Sequence, residues 1–496
     1  MQNSDPPEPP SSPAASRSDR VGVVILAAGK GTRMRARLSK LVHPVAGRPM
    51  VRQVVELGRQ LQPSVMALVV GHDADDVAAA AGPGIDVVMQ AEQLGTGHAV
   101  LQARDALKDR ADVVVVLYGD TALLRIETLQ QMIAASADAA LVLFTYVRGS
   151  SPVHDAISAG YGRIDRDKQN RVTGIIELPG SRRYDEINEV NAGVMVARAD
   201  WLWEQVGRLP RSEKGEYFLT DLVAPAFAAG LRVDAVQPTD PDEILGVNTQ
   251  AQLADVNKIA LDRIRTRLLD SGVRMLDPNT VYIDSTVVVG PDAVILPNTH
   301  LRGHTTVGAG TEVGPNSIVE DTVVGERCKI VSSVLEHAWV GNDVTIGPFA
   351  HLRPGARIED EVELGNYAEV KASTVGKRSK LHHFSYVGDA ILGEDVNVGA
   401  GTITCNYDGV AKHRTTVGNG AFIGSDSMLI APVTIGEGAR TGAGSVVNRD
   451  VEPGQRVAGV PARPMRPKPS PDAPAANDTS RSTNPAHSIE SGPAVS

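Results

Sequence analysis

The chain has 496 residues, a formal net charge of -10, and 4% aromatic residues against 48 glycines. That length holds two cores rather than one, and the small-residue composition suits a turn-rich fold. The acidic balance excludes a protein built for non-specific nucleic-acid binding, and no run of about 18 apolar residues offers a membrane span.

Cys328 and Cys405 have neither zinc-site nor disulfide spacing. A soluble protein of the reducing cytoplasm is expected, with no nucleic-acid partner and no membrane insertion. Residues 1–20, rich in Pro and Ser, lack the apolar stretch of a signal peptide and read as a disordered tail, as do residues 464–496.

From 21 to 248, short apolar runs alternate with helical spacing. Val21–Leu26, Ser64–Val70, Val113–Tyr118 and Ala140–Val147 predict buried strands, and Met50–Leu61 a helix between them. Such alternation predicts an α/β Rossmann-like domain with a mostly parallel sheet covered on both faces. Leu26-Ala27-Ala28-Gly29-Lys30-Gly31-Thr32-Arg33 forms a glycine-rich turn after the first strand. Gly29 and Gly31 permit positive φ and close backbone approach, so amide groups can cradle phosphate, with Arg33 and Lys40 adding charge. It is not a Walker loop, because GxxxxGK[ST] is absent.

Leu253, Val256, Ala260 and Ile264 then recur at helical steps until Ser271-Gly272. They predict a linker helix over 249–271. Beyond it, in 272–463, Val340, Ile346, Leu352, Ile358, Leu364 and Val370 fall six residues apart, as do Val417, Ile423, Leu429 and Ile435. Val307, Val313, Leu381, Val387, Leu392 and Val398 extend the pattern with slips. A six-residue period fits short strands wound into a parallel β-helix, one aliphatic residue per side pointing inward. The stretch between Val398 and Val417 lacks that pattern and reads as a loop leaving the coil. Arg353 and Lys371, one turn of a three-sided coil apart, stack about 4.8 Å from each other, an arrangement that asks for an anion.

The segments LAAGKGTRM, LSKLVHPVAGRPM, QAEQLGTGHA and LYGDTALL, then GYGRI, IIE, EVNAG, GEYFLTD and GVN, occur in that order. With LRPGA, GNYAEVKAS, HHFSYVGDA and GAGTITCNYDG they resemble, over about residues 21–460, the bacterial bifunctional N-acetylglucosamine-1-phosphate uridyltransferase/glucosamine-1-phosphate acetyltransferases. The resemblance implies a left-handed β-helix, a homotrimer, and synthesis of UDP-N-acetylglucosamine, the precursor of peptidoglycan and lipopolysaccharide. Glucosamine-1-phosphate and acetyl-CoA would react first, then N-acetylglucosamine-1-phosphate and UTP.

By the same resemblance, Leu26, Ala27, Ala28 and Gly29 line the nucleotide, with Arg33, Lys40, Gln90, Gly95 and Thr96 beside phosphates and uracil. Tyr118, Gly119 and Asp120 sit at a strand end. Asp120 and Asn248 hold Mg²⁺, and Gly162, Glu177 and Asn191 contact the sugar. In the second half His383 is the general base, Arg353, Lys371, Tyr386 and Asn397 hold the sugar phosphate, and Ala400, Asn406, Tyr407, Ser425 and Ala443 hold acetyl-CoA. His382 is expected to face away from His383, because neighbours on a strand alternate. An acyl-cysteine route through Cys405 is disfavoured, since direct transfer needs no enzyme nucleophile.

Four places depart from the family. Ala122 replaces a usual Pro, Ser151–Ala159 lengthens the approach to Gly162, Leu178-Pro179-Gly180 lacks polar residues, and neither Arg456 nor Arg463 aligns with the late CoA-binding Arg. One rival reading is a single-activity sugar-1-phosphate nucleotidyltransferase whose β-helix regulates or oligomerises; another, a non-catalytic trimeric scaffold with decayed sites, is opposed by the joint retention of Asp120, Lys40, Asn248, His383 and Asn406. A hexapeptide-repeat carbonic anhydrase lacks its three-histidine zinc constellation.

Overall fold

The computed structural model describes residues 20–149, 151–177, 182–213 and 215–465. Leu178-Pro179-Gly180 and nearly all of both terminal tails lie outside the described residues. No helix among the described residues is long and apolar enough to cross a membrane.

The N-terminal part is built on a nine-stranded sheet. Its centre is Val21–Ala27, flanked in parallel by Val65–Val70 and Val113–Tyr118. Val65–Val70 is buried along its whole length, as a strand covered on both faces should be. The sheet is mixed rather than purely parallel. Glu189–Arg198 inserts antiparallel between Val113–Tyr118 and Leu141–Val147, with a register shift between Asn191 and Met195. A hairpin of Arg163–Arg166 and Val172–Ile176 hangs from that strand.

The helix Gln250–Asp270 starts at Thr249, whose side chain accepts from the Gln252 amide. This N-cap satisfies one of the first-turn N–H groups left without a helical partner. The helix grips both halves. Ala46 N donates to Asn257 Oδ1 at 2.8 Å on one side, and the buried Arg265 Nε donates to Val281 O at 2.9 Å on the other. Val256, Ala260, Leu261, Ile264 and Leu268 join the core under the sheet to the core of the coil.

The coil has three faces of 12, 10 and 9 strands, and each strand pairs in parallel with the one a full turn on, Leu352 with Val370 for example, until an antiparallel pair of Arg456–Ala458 with Arg463–Pro464 ends the first face. Every aliphatic residue of the six-residue pattern is buried. Between the aliphatic layers, buried hydroxyls bond backbone carbonyls, as Thr311 Oγ1 does to Gly325 O at 2.8 Å. At the corners Asp292, Asn298, Asn316, Asp343 and Asp395 adopt positive φ, a conformation Asn and Asp tolerate well.

The coil does not stop at Val398. Ile403–Cys405 forms another strand, pairing with Tyr386 and with Met428–Ile430. Thr404 takes the inward position, and its hydroxyl donates to Gly388 O at 3.0 Å. A hydroxyl in place of an aliphatic hid this strand from the periodicity, so the excursion from the coil begins only at Asn406.

Candidate functional site

The sheet order reverses beside Val21–Ala27. The chain runs to one side through Val65–Val70 and Asp86–Met89, then crosses to Val113–Tyr118 on the other. Such a switch opens a crevice at the carboxyl ends of the strands. A cavity of about 500 Å³ lies there, lined by Leu26, Ala27, Ala28, Gly29, Arg33, Lys40, Gln90, Gly95, Thr96, Tyr118 and Asp120. Leu41, Gln93, Ala99, Glu216 and Phe218 complete the wall. The last two stand in the segment GEYFLTD, beyond the residues that the resemblance assigns.

Of the two glycines in the turn, only Gly31 uses positive φ, at +59°, and a Cβ there would meet the Lys40 Cβ at 2.7 Å. That close approach brings Lys40 over the turn. Its Nζ then meets Asp120 Oδ2 at 2.5 Å and Asn248 Oδ1 at 3.2 Å, and Arg33 Nη2 meets the same Asn248 oxygen at 3.0 Å. Asn248, 208 residues beyond Lys40, thus joins Asp120 on one ammonium. Two hard oxygen donors within reach of one cation fit a divalent ion of the Mg²⁺ type, which takes few protein ligands.

Gly119 N donates to Leu26 O at 3.0 Å, tying the two strand ends together. Gly162, Glu177 and Asn191 build a neighbouring wall outside the cavity lining. Asn191 N donates to Gly162 O at 2.8 Å, and a Cβ on Gly162 would stand 2.8 Å from Glu177 Oε1. Tyr161, which sequence reasoning passed over, donates to Ile244 O at 3.2 Å. Burial, then the Asp120 charge, push its hydroxyl up to about 12.

The second group of residues collects along one edge of the coil. The pairings of Leu364 with Leu381, Leu381 with Val398 and Val398 with Ile423 put Asn366, His383, Ala400 and Ser425 in one corner column, two residues past each inward position. Ala443 holds the same offset from Thr441, one turn further on. On the adjoining face Arg353 and Lys371 each follow the paired Leu352 and Val370, and Tyr386, paired with Glu369, precedes Val387 one turn on. Asn397 lies across from Lys380 on the face that leads into His383.

Three expectations change here. His382 and His383 do not face opposite ways: both are exposed, because the strand Lys380–His383 ends at a corner. Their partners separate them instead. His382 Nε2 meets Glu363 Oε2 at 2.7 Å, and His383 Nδ1 meets Asn366 Oδ1 at 3.2 Å. Arg353 is not an uncompensated cation, since its Nη1 bonds Glu369 Oε1 at 2.9 Å.

The third change is an addition. Lys412, on the excursion, contacts Lys371, with Asp389 and Tyr386 close by, and the neighbouring ammonium pulls its pKa down. Asn406 Nδ2 donates to Asp389 Oδ2 at 2.5 Å and so fixes the start of the excursion, while Tyr407 is exposed. Burial raises the Cys405 thiol, which keeps it from being a ready thiolate.

A nucleotide-sized cavity at a sheet switch point, followed by a hexapeptide coil with a histidine–cation edge, defines a nucleotidyltransferase joined to an acyltransferase. Comparisons with known proteins agree. Residues 23–177 match the MobA-like NTP transferase domain, and 286–321, 337–372 and 414–449 match the bacterial transferase hexapeptide repeats. The bifunctional protein GlmU of Pelobacter propionicus is 44% identical over 443 residues, 88% of this chain and 95% of that protein. Those of Marinobacter nauticus and Streptomyces avermitilis are each 43% identical over 87% of this chain, covering 94% and 90% of their own lengths. A solved nucleotidyl transferase from Methanothermobacter thermautotroptrophicus, 19% identical, aligns with a TM-score of 0.37 over 50% of this chain and 100% of its own.

The chain belongs to the bifunctional GlmU family, enzymes carrying a uridyltransferase and an acetyltransferase of UDP-N-acetylglucosamine synthesis on one polypeptide.

Proposed function

We propose that the cavity around Lys40 and Asp120 is the uridyltransferase site and that the corner column through His383 is the acetyltransferase site. The observation that carries the first assignment is the convergence of Asp120, Asn248, Lys40 and Arg33 at the sheet switch point. Leu26–Gly29, Gln90, Gly95 and Thr96 would bind the nucleotide there, and Gly162, Glu177 and Asn191 the sugar.

A phosphate oxygen of N-acetylglucosamine-1-phosphate attacks the α-phosphorus of UTP, a P–O bond forms, and the bond to pyrophosphate breaks. The attacking oxygen is already an anion, so no proton need be removed. The chain's task is positioning and charge neutralisation by Arg33 and Lys40. Asp120 and Asn248 would hold Mg²⁺, which supplies further neutralisation of the phosphates when bound.

In the coil, the amine of glucosamine-1-phosphate attacks the acetyl-CoA thioester and CoA leaves as the thiol. Asn366 Oδ1 accepts from His383 Nδ1–H, which leaves Nε2 as the base that takes the amine proton. Arg353, Lys371 and Lys412 would receive the phosphate, Tyr386 and Asn397 the sugar, and Ala400, Asn406, Tyr407, Ser425 and Ala443 acetyl-CoA. The exposure of His383 on a single chain supports a homotrimer in which neighbouring coils complete this edge. A cytoplasmic location follows from the chemistry, since UTP and acetyl-CoA are cytoplasmic substrates.

The test supplies glucosamine-1-phosphate, acetyl-CoA, UTP and Mg²⁺ and resolves the products. Asp120→Ala should stall at N-acetylglucosamine-1-phosphate. His383→Ala should make nothing until that intermediate is added. Equal loss of both steps in both variants would sink the two-site assignment.

A further inference from the structure

The segment that lengthens the approach to Gly162 is anchored by a side-chain relay of its own. Ser151 begins it in extended conformation, His154 sits in the helix Pro152–Ile157, and Ser158–Gly160 turns the chain into Tyr161 and Gly162. His154 is 8% exposed. Its Nδ1 meets Ser151 Oγ at 2.6 Å and its Nε2 meets Asp242 Oδ1 at 2.8 Å. Asp242 belongs to the turn Pro241–Ile244, which runs on to Asn248. The sugar-side segment is thus fastened to the turn below the reacting centre twice, by His154 on Asp242 and by Tyr161 on Ile244 O.

The two ends of this fastening are not equally secure. The turn has independent support: Asp240 Oδ2 binds Arg125 at 2.7 Å and Arg263 at 2.9 Å. Buried Glu243 accepts from the Arg125 amide at 2.9 Å and Thr128 Oγ1 at 3.0 Å. The far end of the segment is held too, with Arg163 donating to the carbonyls of Ser158, Ala159 and Tyr161. Its near end is tied locally, with Asp155 accepting from the Gly149 amide at 3.0 Å and Arg148 donating to Asp155 O at 3.2 Å, and His154 is its link to the turn. Loss of the relay would therefore loosen the near end of the sugar-side segment from the turn, with Tyr161 still bonded to Ile244 O and Asn248 and Asp120 still in place.

We propose that His154, through Asp242, is a positioning residue for the sugar phosphate in uridylyl transfer. This rests on the assignment of the N-terminal cavity above. Binding that is weakened equally in ground state and transition state raises KM and spares kcat. His154→Ala and Asp242→Ala should each raise KM for N-acetylglucosamine-1-phosphate by about tenfold, with KM for UTP and kcat within about twofold. Asp242→Asn keeps an oxygen that accepts from His154 Nε2–H and should restore KM to within about threefold of wild type.

Acetyl transfer, measured on the same preparations, should be unchanged and reports that the chain is folded. If the sugar-phosphate KM stays at the wild-type value, if both KM values rise together, or if Asp242→Asn behaves like Asp242→Ala, His154 has no positioning role. Absence of uridylyl transfer from the wild type would instead overturn the assignment of the cavity.

Discussion

Lys412 joins Lys371 in the proposed phosphate site at a cost in charge repulsion. Its ammonium stands against that of Lys371, and the proximity lowers its pKa. At pH values below the lowered folded pKa, both folded and unfolded chains carry the proton and the repulsion is felt in full. As pH rises through that value the folded chain sheds its proton first, so this penalty declines towards the ordinary lysine range. Lys412→Ala should therefore melt at a higher temperature than wild type at neutral pH, and the gain should shrink above about pH 10. The same change should lower kcat/KM for glucosamine-1-phosphate about tenfold and leave uridylyl transfer alone. Scanning calorimetry across pH, paired with steady-state kinetics, checks both signs. A variant less stable than wild type at neutral pH would show that the two ammonium groups do not repel.

At the scale of elements, the tip of the excursion from Asn406 to Arg414 folds around one carboxylate, while Asn406 anchors its start to Asp389 and accepts from the His413 amide at 2.7 Å. Asp408 Oδ1 accepts from the amides of Val410 at 2.8 Å and Ala411 at 2.7 Å, and Oδ2 meets His413 Nε2 at 2.7 Å. The Ala411 amide first, then His413, hold its pKa far below the carboxylate range. Its contribution is present above the unfolded value of about 3.9 and is lost only as pH falls through the depressed folded value. Asp408→Ala should raise KM for acetyl-CoA about tenfold and speed hydrogen exchange at the Val410 and Ala411 amides. Asp408→Asn keeps Oδ1 and should fall between the two. Unchanged exchange in Asp408→Ala would mean that other contacts order the excursion.

The same elements show where sequence speaks and where it is silent. The coil was legible because a narrow bore admits one aliphatic residue per side, and that demand repeats at fixed intervals. It faded at Thr404, where a hydroxyl bonded to the backbone satisfies the interior instead. Asp86–Met89 left little signal because Val87 and Met89 lie about half exposed, at 51% and 53%, on the edge of the sheet. Glu189–Arg198 hid its alternation behind the irregularity between Asn191 and Met195. The nucleotide-side residues from Leu26 to Lys40 were within reach because one strand and its turn carry them. Lys412 and the pairing of His154 with Asp242 were not, since long-range contacts have no local pattern.

Across the whole molecule, the two groups of residues share no side chain. The cavity draws on residues between Leu26 and Phe218, with Asn248 beside it, and the proposed acetyl-transfer edge on residues between Arg353 and Ala443. Nothing in either set depends on the identity of the other, although the helix Gln250–Asp270 packs against both halves. On the proposed assignment, the product of acetyl transfer leaves an exposed edge on the coil before it enters the crevice of the sheet. Free diffusion of that intermediate predicts complementation between half-active chains. Purified Asp120→Ala and His383→Ala proteins, each unable to make UDP-N-acetylglucosamine from glucosamine-1-phosphate, should do so when mixed. The mixture should show a lag that lengthens on dilution as the intermediate builds up in solution. N-acetylglucosamine-1-phosphate labelled in the acetyl group, added to wild type, should mix fully with the pool made from acetyl-CoA. A mixture that stays inactive, or a labelled pool that fails to exchange, would require the intermediate to pass between sites without entering solvent.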